Sequence, residues 1–322
     1  MDSRKYNFQT RAIHAGMDGK HANNALNPPI YQTSTFVFDN IDHVEKVMSF
    51  QSDDYVYTRG NNPTLRLFEN RMAALEEGEG AVAFSSGMAA ISSVLFSFLK
   101  PGDNLIVHKT LYGSSYNVAT NLLPQYGIEC KIVDLTDLDK LWDIIDKNTR
   151  VIYFETPSNP NLAILDIKRI CNIAKEKDVK VVVDNTFATP YFQRPLTLGV
   201  DVVVHSATKY ICGHGDVVGG VAVSKEMDYI HYLKFDYMCE FGGVMSPFNA
   251  WLLLRGLKTL GIRMKEHEKN AIEVANFLKN HTKVREVYYP GLEGFKGHNL
   301  AKGQMSGFGA MISFEVDGTL DE

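Results

Sequence analysis

Val181-Val182-Val183-Asp184-Asn185-Thr186 and, farther along, Val202-Val203-Val204-His205-Ser206-Ala207-Thr208-Lys209 decide the fold. Each stretch begins with three valines and turns polar at once. A β-branched run without polar alternation is a strand buried on both faces, the habit of parallel sheets covered by helices. In open sheets of that kind, ligands bind beyond the carboxyl ends of the strands. Asp184 and Lys209 follow successive strands, so both belong to that edge.

The same alternation extends outward. Apolar runs predict strands over 81–84, 105–107, 130–133, 151–154, 179–183 and 200–204. Between them the pattern predicts helices over 65–77, ended by Gly78, from Ser85-Ser86-Gly87 to Pro101-Gly102, from about 112, and over 138–145. A further helix carries Ile167, Ile170, Cys171 and Ala174 at i, i+3, i+4 and i+7. The fold class is α/β with a mostly parallel central sheet. Two more strands run directly into polar groups: Phe84 into Ser85-Ser86-Gly87, and Phe154 into Glu155-Thr156-Pro157-Ser158-Asn159.

The outer parts have a different texture. The first sixty residues read as an irregular arm, rich in Asn, Thr and aromatics, that lies on another surface such as a second subunit. After Pro247 a long helix is expected over 248–280, bent at Gly256 and Gly261, and 311–314 should start a strand of a second domain. The division expected is an arm over 1–60, a ligand-binding domain over 61–245 and the beginning of a smaller α/β domain over 246–322.

Composition excludes several classes. The 322 residues carry 33 Lys+Arg against 38 Asp+Glu, a net charge of −5, so the chain is no basic nucleic-acid binder. The most apolar run, 88–99, contains Ser92, Ser93 and Ser97 and falls short of the roughly 20 residues that span a bilayer. Cys130, Cys171, Cys212 and Cys239 form no CxxC pair, and no apolar stretch follows the N-terminal charges; a cytoplasmic location is expected. The ten histidines include no HExxH, and no metal site is expected.

Three groups carry chemistry. Ser86-Gly87-Met88 opens a helix at a strand end, where backbone N–H groups attract anions, although an ordinary N-cap reads the same way. Asp184, at a buried strand end, needs a partner: an ion pair, a cap or a protonated ring nitrogen. Lys209 has hydroxyls at i−3 and i−1, Ser206 and Thr208, which can hold a phosphate while a partly buried amine forms a Schiff base. The glycine-rich 213–220 stretch lets the chain reverse around this site, or forms a tight turn. Neither GxGxxG nor a P-loop follows any strand, which excludes the usual NAD and ATP sites. A phosphate cradle, a carboxylate for a pyridinium and a lysine for an aldehyde are together the needs of pyridoxal phosphate.

The runs Asp184-Asn185-Thr186-Phe187-Ala188-Thr189-Pro190, His205-Ser206-Ala207-Thr208-Lys209-Tyr210 and Gly213-His214-Gly215-Asp216-Val217-Val218-Gly219-Gly220 resemble the Cys/Met-metabolism family of pyridoxal-phosphate-dependent enzymes, which performs trans-sulfuration and related reactions. Tyr57-Thr58-Arg59, Asn62-Pro63-Thr64, Ser85-Ser86-Gly87-Met88, Leu111-Tyr112-Gly113, Glu155-Thr156-Pro157-Ser158-Asn159-Pro160 and Arg255-Gly256-Leu257-Lys258-Thr259-Leu260 extend the resemblance over nearly the whole chain. It implies the aspartate-aminotransferase-like fold (fold type I) and a homotetramer built as a dimer of dimers with shared active sites. By the same resemblance Lys209 would hold the cofactor as a Schiff base and move protons, Asp184 would pair with the pyridine nitrogen, and Tyr112 would stack on the ring and act as acid and base. Ser86, Gly87, Met88, Ser206 and Thr208 would hold the phosphate, Tyr57 and Arg59 would reach the phosphate of a neighbouring subunit, and Asn159 and Thr186 would make further cofactor contacts.

The activity implied is α,γ-elimination from cystathionine or methionine, giving 2-oxobutyrate, ammonia and a thiol. Asp216 resembles the lyases, whereas sulfhydrylases more often have Thr there. Many methionine lyases carry Cys where this chain has Ser114, which argues against methionine as preferred substrate and keeps cystathionine level with it. γ-Replacement, by a cystathionine synthase or an O-acylhomoserine sulfhydrylase, is the alternative. Family chains continue beyond the point reached at Asp321-Glu322, and their later part supplies the arginine for the substrate carboxylate. Arg255 and Arg263 are expected to serve structure instead. A non-catalytic cofactor-binding protein is therefore a third reading.

Overall fold

The two valine runs form adjacent parallel strands. The computed structural model describes residues 5–17, 21–49 and 51–318; the chain end at Asp321-Glu322 lies outside them. A seven-stranded sheet is built from β1 (Gly80–Phe84), β2 (Asn104–His108), β3 (Glu129–Val133), β4 (Thr149–Glu155), β5 (Lys180–Asp184), β6 (Val202–Ser206) and β7 (Gly220–Ser224), in the order β1-β7-β6-β5-β4-β2-β3. β3, β2, β4, β5 and β6 run parallel, with Val183 opposite Val203 and Glu155 opposite Asp184. β7 runs opposite to the other six strands of this sheet, antiparallel to both β1 and β6. That strand follows the glycine-rich stretch and was not predicted, because Val221-Ala222-Val223 is short and adjoins a run that reads as a turn.

Both sheet faces are buried, as the valine runs require. Ile152, Phe154, Val181, Val183 and Val203 face the helices Pro63–Glu76, Ile167–Glu176 and Pro247–Leu257. Val151, Tyr153, Val182, Val202 and Val204 face the helix Gly87–Phe98 and the turns that follow Tyr112. Each of these strand residues is at most 1% exposed, and each aliphatic one stabilises the fold by about 1.5–3 kcal/mol.

Several helix ends have causes other than those expected. Pro63–Glu76 starts where Asn62 accepts the Thr64 N–H and Pro63 presets the first turn. At its end Glu77, not Gly78, takes the left-handed conformation. Gly78 is needed for closeness: a Cβ there would lie 2.7 Å from Val223 Cγ1. The expected bent helix over 248–280 is two helices, Pro247–Leu257 and Leu260–Lys279, separated at Lys258-Thr259. Gly256 does not bend the first one. It lets that helix touch the chain just beyond Lys209, since a Cβ would stand 2.3 Å from Cys212 O.

The first sixty residues are less irregular than their composition suggests. The helices Phe8–His14 and Ile41–Met48 form there, each capped by an asparagine side chain, Asn7 and Asn40. The stretch between them leaves Leu26 and Val37 almost fully exposed. The helix expected over 138–145 shrinks to Leu141–Ile144. The strand expected to begin near 311 is β9 (Ser313–Val316), paired antiparallel with an unpredicted β8 (Val284–Tyr288).

Candidate active site

Four strand ends converge on one cavity. β1, β4, β5 and β6 all deliver their carboxyl ends to the same edge, and β7 begins there, with Gly220 paired to both Phe84 and Ser206. A Cβ on Gly220 would stand 2.2 Å from Ser86 O, so only glycine lets the loop after β1 cross this point. The cavity holds about 700 Å³ and is lined by Ser86, Gly87, Met88, Tyr112, Asn159, Asp184, Thr186, Ser206, Thr208 and Lys209. Ten of the residues singled out in the sequence are thus brought together, from five separate stretches of chain.

The helix Gly87–Phe98 aims its N-terminus at the cavity. The Ser86 hydroxyl accepts the Ala89 N–H at 3.1 Å, which leaves the first-turn amides of Gly87 and Met88 without an intrahelical acceptor. The end of β6 comes so near that a Cβ on Gly87 would stand 2.8 Å from Ser206 Cβ. Helix N-terminus and Ser206 hydroxyl therefore face one corner of the cavity, an arrangement that suits an anion. Thr208 borders that corner, with its hydroxyl engaged by Gly219: it accepts the Gly219 N–H at 3.1 Å and donates to Gly219 O at 3.2 Å.

Asp184 accepts both the backbone N–H of Thr186, at 2.9 Å, and its hydroxyl. The Thr186 oxygen in turn accepts the Ser206 N–H at 2.8 Å, which ties β5 to β6. Burial pushes the Asp184 carboxyl up, against the opposing pull of Thr186 and His205. Among the described residues Asp184 has no cationic side-chain partner, so its geometry suits a cation that is not part of the chain.

Lys209 is exposed on the cavity wall, not partly buried as expected, because it projects into the open cavity instead of the sheet interior. Its backbone is fixed by a tight turn: Lys209 N–H donates to Ser206 O and Gly213 N–H to Lys209 O. Arg263 braces this turn, donating to Tyr210 O at 2.7 Å and Gly256 O at 2.9 Å, the structural role foreseen for it.

A buried polar layer underlies the strand ends. Glu76 Oε1 bonds His205 Nε2 at 2.6 Å and accepts from Asn185 Nδ2 at 2.9 Å. Asn185 also donates to Gln193 O, and Gln193 Nε2 donates to Thr156 O and Asn185 Oδ1. The loops after β4 and β5 and the end of β6 are locked together by these bonds.

Tyr57 and Arg59 lie outside the cavity. Arg59 donates to Cys239 O at 3.0 Å and Tyr57 is 45% exposed. Glu155, to which the sequence motifs assign no role, is in the cavity wall. So are His267 and Met311, which no motif marks because they arrive from distant stretches of chain. Among the described residues no group of His, Cys, Asp and Glu could hold a metal, and no helix is long and apolar enough to cross a membrane.

A family model described as Cys/Met metabolism PLP-dependent enzyme matches residues 9–322. The chain is 50% identical to an L-methionine gamma-lyase of Fusobacterium nucleatum subsp. polymorphum over 99% of its own length and 80% of the relative's. It is 45% identical to a cystathionine gamma-lyase of Bacillus subtilis, over 96% of this chain and 79% of the other. The solved structure of a cystathionine gamma synthase from Xanthomonas oryzae pv. oryzae, in complex with cystathionine, superposes with a TM-score of 0.92 at 41% identity, covering 98% of this chain and 79% of that one.

Proposed function

The chain belongs to the Cys/Met metabolism family of PLP-dependent enzymes, and on that premise we propose that it is a carbon–sulfur lyase acting by α,γ-elimination on cystathionine or methionine. Its fold is the type I fold of pyridoxal-phosphate enzymes. The observation that carries the reading is the placement of Asp184 and Lys209 beyond adjacent parallel strands, in one cavity with the N-terminus of the helix Gly87–Phe98.

These residues fit pyridoxal phosphate. The Gly87 and Met88 amides with Ser206 and Thr208 would hold its phosphate, Asp184 its pyridinium nitrogen, Lys209 its aldehyde carbon, and Tyr112, Asn159 and Thr186 the ring. Bound there, the cofactor supplies an electron sink for negative charge at the substrate's Cα and Cβ. Lys209, freed when the substrate amine takes its place, would remove the Cα proton, return it toward the cofactor side of the site so that its amine is neutral again, and only then remove a Cβ proton. The Tyr112 phenol would deliver a proton to the departing sulfur. With one water consumed, the products are 2-oxobutyrate, ammonia and a thiol.

Two relatives named as lyases of methionine and cystathionine favour elimination. γ-Replacement is the second reading, favoured by the likeness to a cystathionine synthase. Keto-acid release from cystathionine, methionine, and O-acetylhomoserine with sulfide separates them: elimination releases 2-oxobutyrate from one of the first two, and product from the last alone overturns the lyase reading. We also read Tyr57 and Arg59 as reaching a neighbouring subunit's site in a homotetramer, 1–60 as the arm that carries them, and the location as cytoplasmic on account of four unpaired cysteines. Sedimentation of the holoenzyme tests the assembly.

A further inference from the structure

Glu155 is an ionisable side chain in the cavity wall to which the proposed reaction gives no task. It ends β4, is 6% exposed, and stands opposite Asp184 in the β4–β5 register. Its Oε1 accepts the backbone N–H of Tyr112 at 2.7 Å, across a separation of 43 residues, and its Oε2 accepts the Asn159 N–H at 3.4 Å. Tyr112 needs this anchor. It precedes the short helix Gly113–Asn117 without a side-chain cap, and it is 48% exposed, so packing alone does not fix it.

We propose that Glu155 is a positioning residue whose carboxyl group pins the main chain of Tyr112 and of Asn159, and so sets where the Tyr112 phenol stands in the cavity. The inference deepens the lyase reading and rests on it for the value of the phenol. The titratable groups around Glu155 are Asp184 on β5, Tyr153 on β4, and Tyr112 and Lys209 in the cavity wall. Burial first, and then the neighbouring Asp184, push the Glu155 carboxyl up to about 8, while the bonds from Tyr112 and Asn159 pull down. Burial raises both the Glu155 and the Asp184 carboxyls, and the approach of the two disfavours a second negative charge at this edge of the sheet. A glutamine side chain keeps one carbonyl oxygen that can accept the Tyr112 N–H, while its NH2 group cannot accept the weaker bond from Asn159.

Amide hydrogen exchange in the cofactor-free protein tests the pin directly. In Glu155→Ala, exchange at Tyr112 should rise about tenfold or more, the size of one lost buried hydrogen bond, while strand amides such as Val182 keep their rates. Glu155→Gln should stay near the wild-type rate. In the cofactor-loaded enzyme, Ala should lower kcat more than it raises KM, and Gln should recover most of the difference. Unchanged exchange at Tyr112 in the Ala variant overturns the proposal, and so do equal losses in Ala and Gln. If the Ala variant does not fold, Glu155→Asp, one methylene too short to reach, takes its place, with faster Tyr112 exchange expected and a wild-type rate overturning the proposal. A wild type that releases no keto acid would defeat the lyase reading while leaving the exchange result to stand or fall by itself.

Discussion

The Thr186 hydroxyl donates to Asp184 Oδ1 and accepts the Ser206 N–H at 2.8 Å, so one side chain orients the carboxylate and joins β5 to β6. Thr186→Val keeps the shape and removes both bonds. Asp184 then keeps only the backbone N–H of residue 186, and the Ser206 amide loses its acceptor. The expected result is about tenfold weaker cofactor binding and about 1–2 kcal/mol lower stability, with Thr186→Ser close to wild type on both counts. Fluorescence titration of the cofactor-free protein and urea unfolding measure the two effects. Valine with wild-type affinity would remove Thr186 from the site.

Lys209 is held by its backbone turn and braced by Arg263, so its side chain can be changed without disturbing the sheet. Lys209→Ala should fold, bind the phosphate group and lose turnover by at least about 100-fold, the scale of one acid–base group. It should also lack the absorbance band that a lysine-bound cofactor gives. Full keto-acid release by this variant would refute the assignment.

What could be read from the sequence is what the chain keeps local. The valine runs fix two strands, and the polar residues at their ends must share an edge, so Asp184, Ser206 and Lys209 were legible. Glu155 was visible but mute, because its partner Tyr112 is distant in sequence. His267 and Met311 carry no signal at all: only the tertiary fold brings them to the cavity. β7 and β8 were missed because each is a short strand whose pairing is set by non-local partners, β6 and β1 in one case and β9 in the other. Gly78 and Gly256 were read as backbone punctuation, whereas each is required by close approach of another segment.

Glu155 also predicts a pH dependence of stability. Its carboxyl lies at about 8 in the folded chain against 4.5 in the ordinary range, so the folded state binds the extra proton between those values. Stability from this group is full below about pH 4.5 and is lost as pH rises through about 8. Urea unfolding of the cofactor-free protein across that range should show a decline that Glu155→Gln flattens. A Gln variant with the same slope as wild type would assign the decline to other groups.

Glu76 and His205 form a fully buried pair beneath the strand ends, and Glu76 Oε1 also takes the Asn185 amide. Glu76→Ala strands two polar partners in the interior. It should destabilise by about 3 kcal/mol, where the ranges for an orphaned buried group and a broken buried ion pair meet. Glu76→Gln keeps an acceptor for Asn185 and should lose less. Equal stability of the Ala variant and wild type in urea would show that the layer does not hold the loops.

Gly87 decides how closely the helix N-terminus and Ser206 approach. A Cβ there would lie 2.8 Å from Ser206 Cβ and 3.0 Å from its Cα, and the second neighbour is backbone that cannot swing aside. Gly87→Ala must therefore part the helix from β6 by some tenths of an ångström, which opens that corner of the cavity from both sides. Alanine at a helix position is itself favourable by up to about 1 kcal/mol, so the cofactor-free chain should unfold near the wild-type urea midpoint. Cofactor affinity should fall about tenfold, since amide dipoles and hydroxyl no longer converge on one phosphate. The split is the diagnostic: weakened binding with intact folding places the phosphate at this junction, and wild-type affinity in the alanine variant places it elsewhere.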